Sequence, residues 1–252
     1  MADTREVQEH YDSHLARNYA WIAGGWEAGF ERSCRFISDH AIRPTGTGVA
    51  VDLGAGCSFY SVALAEAGYR VTAIDFSAAM LEFLKYHAGD LPIRPVHADI
   101  RTFVAWEKEQ PELIICMGDT LTHLPDYVSA RNLIRRCARE LTTGGTLVLS
   151  CRNYSKKPAG STEVIPVRRD EDRIFLCRID YGIEQVRVTD ILYTRESGSW
   201  ERMSGTYSKL PVAPDPLRQM LSDAGFRIRF NEAGNDTITL IGQKKAADDP
   251  PG

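Results

Sequence analysis

The sequence has no CxxC pair, and no spacing among its six cysteines and six histidines suits a metal. This sets aside zinc ribbons and thioredoxin-like redox motifs, and the expected metal set is none. Cys34, Cys57, Cys116, Cys137, Cys151 and Cys177 are expected as free thiols, Cys116 and Cys151 within apolar runs, where such cysteines are common. There is neither an apolar leader at the N-terminus nor an apolar stretch long enough for a bilayer, so the expectation is a cytoplasmic chain with reduced thiols and no membrane partner. Positive charge is not in excess: 30 Lys and Arg against 34 Asp and Glu leave a formal net charge of −4. The Arg168-Arg169 pair is answered at once by Asp170, Glu171 and Asp172. A phosphate backbone is usually met by a basic stripe, so no nucleic-acid partner is expected.

With 252 residues, 43% of them hydrophobic, the chain can bury one full core. Residues 1–45 are polar and aromatic and read as a helical cap, ended by Pro44 and Gly46. Residues 46–152 alternate short apolar runs (VAVDL, YRVTAID, IRPVHAD, ELIICMG, TLVLSCR) with amphipathic stretches, one of them from Asp126 to Leu141 and a short one after Asp99. That texture predicts five parallel strands joined by right-handed crossovers. Residues 153–210 alternate apolar and polar around Gly198 and predict an antiparallel insertion, a substrate lid or a dimer contact. Residues 211–245 read as a helix stopped by Gly225 and a hairpin turning at Ala233-Gly234-Asn235; residues 246–252 read as a flexible tail. The fold class is α/β: a Rossmann-like seven-stranded mixed sheet of five parallel strands plus a C-terminal antiparallel hairpin, with helices on both faces and a small antiparallel β insertion. The insertion's edges leave a homodimer open.

Asp52-Leu53-Gly54-Ala55-Gly56 stands where the first strand ends and a helix begins, the place where open α/β sheets hold ligands. The two glycines allow a tight turn and close backbone approach. A third glycine at position 59 would complete a dinucleotide fingerprint, but Phe59 stands there, and Asp52 favours a cationic ligand or nearby backbone donors over a pyrophosphate. Asp75 ends the second strand, placed for ribose hydroxyls or as a helix cap before Ser77. Asp99 is expected to close the third strand, as an adenine contact or a turn residue. All three acids fall on one edge of the sheet, around a single positively charged nucleoside.

These residues resemble class I methyltransferases: VAVDLGAG is similar to their first motif, Asp75 to their ribose-binding acid, and HADI to the segment flanking adenine. The resemblance implies S-adenosyl-L-methionine as cofactor, leaving as S-adenosyl-L-homocysteine, held by Tyr11, Tyr19, Asp52, Gly54, Ala55, Gly56, Asp75, Phe76, Met80, Asp99, Ile100, Met117 and Gly118. MGDTLTHLPD and VLSCRNYS resemble segments of the glycine N-methyltransferase group. That likeness implies Arg152 on a substrate carboxylate and Asp119 in the place of an amine-facing Asn; by their own chemistry Arg152 is equally a salt-bridge partner, His123 a structural imidazole or a catalytic group that orients the acceptor, and Tyr154 a residue that positions it. Ser58 replaces that group's third motif glycine. Tyr11 and Tyr19 are similar to tyrosines that fold over the cofactor's carboxylate, or they pack a helix onto the sheet; Trp26 is expected to pack. Tyr193 and Tyr207 line a lid or face a partner strand. The activity implied is methylation of a small molecule, an amine or amino acid at nitrogen. O- or S-methylation, a nicotinamide oxidoreductase (disfavoured by Phe59 and the terminal hairpin) and a silent cofactor-binding module stay open.

Overall fold

The computed structural model describes residues 16–103, 110–196, 198–234 and 236–246. Two helices, α1 (Ala16–Ile22) and α2 (Trp26–Asp39), precede β1 (Val49–Leu53), α3 (Phe59–Glu66), β2 (Arg70–Asp75), α4 (Ala78–Ala88) and β3 (Ile93–His97). Then come β4 (Leu113–Cys116), α5 (Tyr127–Glu140) and β5 (Thr146–Arg152). The insertion forms β6 (Thr162–Arg169), β7 (Arg173–Asp180), β8 (Val186–Glu196) and β9 (Ser199–Lys209); α6 (Pro214–Asp223), β10 (Phe226–Ala233) and β11 (Thr237–Lys244) finish the chain.

Seven strands make one sheet in the order β3-β2-β1-β4-β5-β11-β10, and β6 to β9 make a second in chain order. The first five pair in parallel, while β11 runs antiparallel to both β5 and β10. Every residue of β1 is buried, as expected of a parallel strand covered on both faces. Successive residues serve opposite layers: Ala50 joins the core under α2, α3 and α4, and Val51 the core under α5 and α6. Helix α5 starts where Asp126 accepts the Ser129 N–H at 2.7 Å, an N-cap of the expected kind. It buries Ala130, Leu133, Ile134, Cys137 and Ala138 along one stripe.

The insertion sheet does not stand apart. Its inner face packs Ile179, Val186, Val188 and Tyr207 on Tyr154, and Phe175 and Leu192 on Tyr19, Trp21 and Ile22 of α1. The Arg173 guanidinium lies 4.4 Å over the Trp21 ring. At its end, Leu210 N donates to Thr122 O at 2.7 Å, tying β9 to the turn after β4.

One expectation needs correction. Asp99 does not close the third strand: β3 ends at His97, Ala98 N makes a last bond to Asp75 O, and the Asp99 carbonyl accepts from Thr102 N and Phe103 N. The Arg101 guanidinium and backbone N–H both grip the Asp99 carboxylate, at 2.6 to 3.1 Å, and that grip bends the chain into a turn. The helix expected after it is a turn as far as Thr102; Tyr11, residues 104–109 and the tail from 247 lie outside the described residues. All six cysteines are free. Among the described residues no helix is long and apolar enough to cross a membrane.

Candidate active site

The strand order reverses between β1 and β4, so ligands are expected outside the carboxyl ends of these strands. A cavity of about 230 Å³ opens there. Gly54 leaves β1 at φ +79°, and its N–H and that of Ala55 both donate to Ile74 O, at 2.8 and 2.9 Å. A side chain at Gly54 would collide with Thr120, so only bare backbone fits beneath the turn after β4. The Gly56 N–H donates to Asp75 Oδ2 and the Ser77 N–H to Asp75 Oδ1, both at 2.8 Å. Asp75 therefore braces the loop, while Ser77 caps α4 by accepting from Met80 N at 3.3 Å. Ser58 sits at φ +65°, a left-handed conformation that costs a residue with a Cβ roughly 1–2 kcal/mol. The Trp26 indole reaches its hydroxyl at 3.5 Å and stacks on Phe30 and His87, the packing role expected of it.

Asp52 is buried and accepts from Ser61 Oγ at 2.7 Å. Burial pushes its carboxyl up to about 7; the Ser61 hydroxyl works against this and the neighbouring Asp75 adds to it. An unfolded Asp titrates near 3.8, so between about pH 4 and about pH 7 the unfolded chain releases a proton that the fold retains. Above that window the ionised fold carries the whole penalty, up to about 4 kcal/mol. Asp52→Asn is expected to be more stable than wild type by an amount that grows with pH through this window and then levels off, as urea melts across pH would show. Its affinity for a cationic nucleoside is expected to fall, most of all above pH 7.

A second cavity, of about 170 Å³, lies between the core and the insertion sheet and shares Tyr19, Ala23 and Asp119 with the first. Asp119 holds the seam. Its Oδ1 accepts Arg152 N at 2.9 Å, and its Oδ2 accepts the Tyr154 hydroxyl at 3.0 Å and Lys209 Nζ at 2.5 Å. Burial alone would raise this carboxyl, but the Lys209 ammonium and the Arg152 backbone hold it well below the usual carboxylate range. Burial and the adjacent Asp119 charge push the Tyr154 phenol far up. The Arg152 guanidinium has no hydrogen-bond or ion-pair partner among the described residues and lines the second cavity.

Tyr19, Asp52, Gly54, Ala55, Gly56 and Asp75 all line the first cavity. So do Phe76, Met80, Asp99, Ile100, Met117 and Gly118. Asp119 borders both cavities, Arg152 and Tyr154 only the second, and His123 only the first, its ring 5.5 Å from that of Tyr207. The sequence reading did not find Lys209, Asp190 or Cys177, and left Tyr207 between two roles. Strand parity carried a signal: Asp190 falls in the inward row of Val186, Val188 and Leu192, and Lys209 in that of Tyr207. A polar residue in a buried row is the anomaly to look for. A larger groove at the opposite ends of the strands, about 720 Å³, has its acid committed, since Glu112 already accepts from Thr45 N and Gly48 N.

The methyltransferase domain family matches residues 50–145. The glycine/sarcosine N-methyltransferase of Aphanothece halophytica is 31% identical over 115 residues, 45% of this chain and 43% of that one. The glycine/sarcosine N-methyltransferase of Parasynechococcus marenigrum is 25% identical over 230 residues, 88% of this chain and 76% of that one. A solved S-adenosylmethionine-dependent methyltransferase from Clostridium acetobutylicum shares the fold with a TM-score of 0.73 at 15% identity, over 86% of this chain and 92% of that one. Residues 50–145 thus match a methyltransferase domain, and the chain shares its fold with a solved S-adenosylmethionine-dependent methyltransferase. It spans less than half the length of the Aphanothece relative and about three quarters of the Parasynechococcus one. The first cavity suits S-adenosylmethionine in charge. Four carboxylates line it, Asp99 matched by Arg101 and Asp119 by Lys209, and this balance favours a cationic, hydroxyl-bearing nucleoside over a diphosphate. Phe76, Met80 and Ile100 supply apolar wall.

Proposed function

We propose that this chain is an S-adenosylmethionine-dependent methyltransferase that methylates the nitrogen of a small amine also carrying a carboxylate. The Arg152 guanidinium carries the reading: a planar, permanently charged fork with no hydrogen-bond or ion-pair partner among the described residues, on the wall of a cavity that meets the cofactor cleft at Asp119 and Tyr19. Two relatives named as glycine/sarcosine N-methyltransferases support it. In this reading Asp75 takes the ribose hydroxyls, Asp52 faces the cationic end, and Phe76, Met80 and Ile100 enclose the base. When bound, S-adenosylmethionine supplies an electrophilic methyl carbon.

The chain's own contribution is placement. Arg152 fixes the carboxylate, Asp119 offers its remaining lone pair to the amine, and Tyr19 and Tyr154 exclude water. Held so far below neutrality, Asp119 takes up no proton near pH 7, so it orients the amine and does not deprotonate it. Proximity and alignment of this kind supply roughly 7–11 kcal/mol of a two-reactant barrier.

Arg152→Ala is expected to raise KM for amino-acid acceptors by on the order of a hundredfold, the loss of a bidentate charged contact. Affinity for S-adenosylhomocysteine should stay at the wild-type level. The check is initial-rate kinetics over amines, amino acids and phenols, with calorimetry for the nucleoside. Equal loss in both would make Arg152 structural, and turnover of phenols alone would overturn nitrogen as the acceptor atom.

A further inference from the structure

Among the described residues, two acids and two cations line the cavity between core and insertion sheet: Asp119, Asp190, Arg152 and Lys209. Lys209 and Asp119 meet at 2.5 Å, which cancels one charge of each sign near the cofactor cleft. Arg152, on the core sheet, and Asp190, on the insertion sheet, face the same cavity. Asp190 is only 6% exposed and takes a place in the inward row of Val186, Val188 and Leu192. An apolar residue there would pack without any cost of desolvating a carboxylate. Its register partner across β7 and β8 is Cys177, which lines the same cavity, and the Tyr207 hydroxyl donates to its Oδ2 at 3.0 Å.

We propose that Asp190 selects the acceptor, by binding an ammonium or hydroxyl group carried at the end of the acceptor opposite its carboxylate. Tyr207 is the positioning residue that aims the Asp190 carboxylate. Three points then define the acceptor: an anion on Arg152, the reacting nitrogen at the junction by Asp119 and Tyr19, and a hydrogen-bond donor on Asp190. The substrate class is a small amino acid whose side chain ends in a hydroxyl or amine. The cavity, about 170 Å³, is several times the roughly 30 Å³ that one water occupies in the liquid, room for a side chain beyond the amino and carboxylate groups. This rests on the carboxylate-bearing amine proposed above and narrows it.

The test is kcat/KM for two pairs of acceptors matched in shape, serine against 2-aminobutyrate and 2,4-diaminobutyrate against norvaline. Wild type is expected to favour the donor-tipped member of each pair by on the order of ten- to a hundredfold, the worth of a hydrogen bond to a charged group. In Asp190→Asn that ratio should fall most for 2,4-diaminobutyrate, with calorimetric affinity for S-adenosylhomocysteine retained. Tyr207→Phe should lower the ratio partway, through KM and not kcat. The wild-type ratio needs no variant, so a misfolded Asp190→Asn does not shield the proposal. Turnover of all four acceptors without preference, or an equal fall for both members of a pair in Asp190→Asn, would overturn the role of Asp190 alone. Turnover of none of them, with S-adenosylhomocysteine still bound, would overturn both this inference and the amine reading beneath it.

Discussion

Lys209→Met is expected to destabilise the fold by about 3 kcal/mol, the lower end of what breaking a buried ion pair costs. The lower end applies because one edge of Asp119 opens on the cavity: its side chain is 25% exposed, against 3% for Lys209. Methionine keeps most of the length of the side chain and its packing on Tyr154 and Tyr207, whose rings lie 5.8 and 5.7 Å from Lys209 Nζ. It ends one atom short and removes the ammonium with its hydrogen bond, leaving Asp119 desolvated with the Tyr154 hydroxyl and the Arg152 N–H as donors. The pH dependence follows from the direction of the shift. In wild type the Asp119 carboxyl is depressed, so its stabilisation is present above the unfolded value of 3.8 and is lost only as pH falls through the lower folded value. In the variant, burial dominates and the carboxyl protonates more readily. The gap between the two proteins should be widest near neutrality and should narrow as pH falls toward 4. Denaturant melts across pH read it directly. Lys209→Met with Asp119→Leu should recover most of the loss, since a well-packed apolar pair often matches a buried ion pair.

Asp75→Ala is expected to weaken S-adenosylhomocysteine binding by about two to three orders of magnitude. That is the loss of two charge-assisted hydrogen bonds, each worth about 1.5–3 kcal/mol, with discount for relaxation of the loop. The carboxylate accepts the Gly56 and Ser77 N–H groups, so its removal unties the loop after β1 from the start of α4 and takes away the ribose partner proposed for it. Asp75→Asn should fall between, because an amide turns a donor toward one of those two donors. Calorimetric titration of the folded variants decides the point. An affinity within about threefold of wild type would make Asp75 a brace of the loop only, since a lost charged hydrogen bond costs more than that.

Much of the core was legible from local chemistry. Strands buried on both faces have to be apolar throughout, which is why VAVDL and ELIICMG announce a parallel sheet. Asp126 marks the start of α5 because few residues can satisfy its orphan N–H groups. Gly54 and Gly56 mark a left-handed loop because other residues strain there. Asp99 was misplaced for an equally local reason: Arg101, two residues away, captures its carboxylate and turns the chain, and both an edge acid and a turn acid read as Asp.

Sequence alone thus determined the mixed sheet, the edge that carries the first cavity and the acids on that edge, because each depends on neighbours a few positions apart. It was the docking of β6 to β9 that decided the second cavity. Lys209 meets Asp119 across 90 positions of chain, and Tyr207, Asp190 and Cys177 meet Arg152 and Tyr154 only once the insertion closes on the core. Strand parity told which side chains of the insertion face inward, but not what they face. That partner is chosen by the burial of two whole apolar surfaces, a sum over many residues that no short stretch contains.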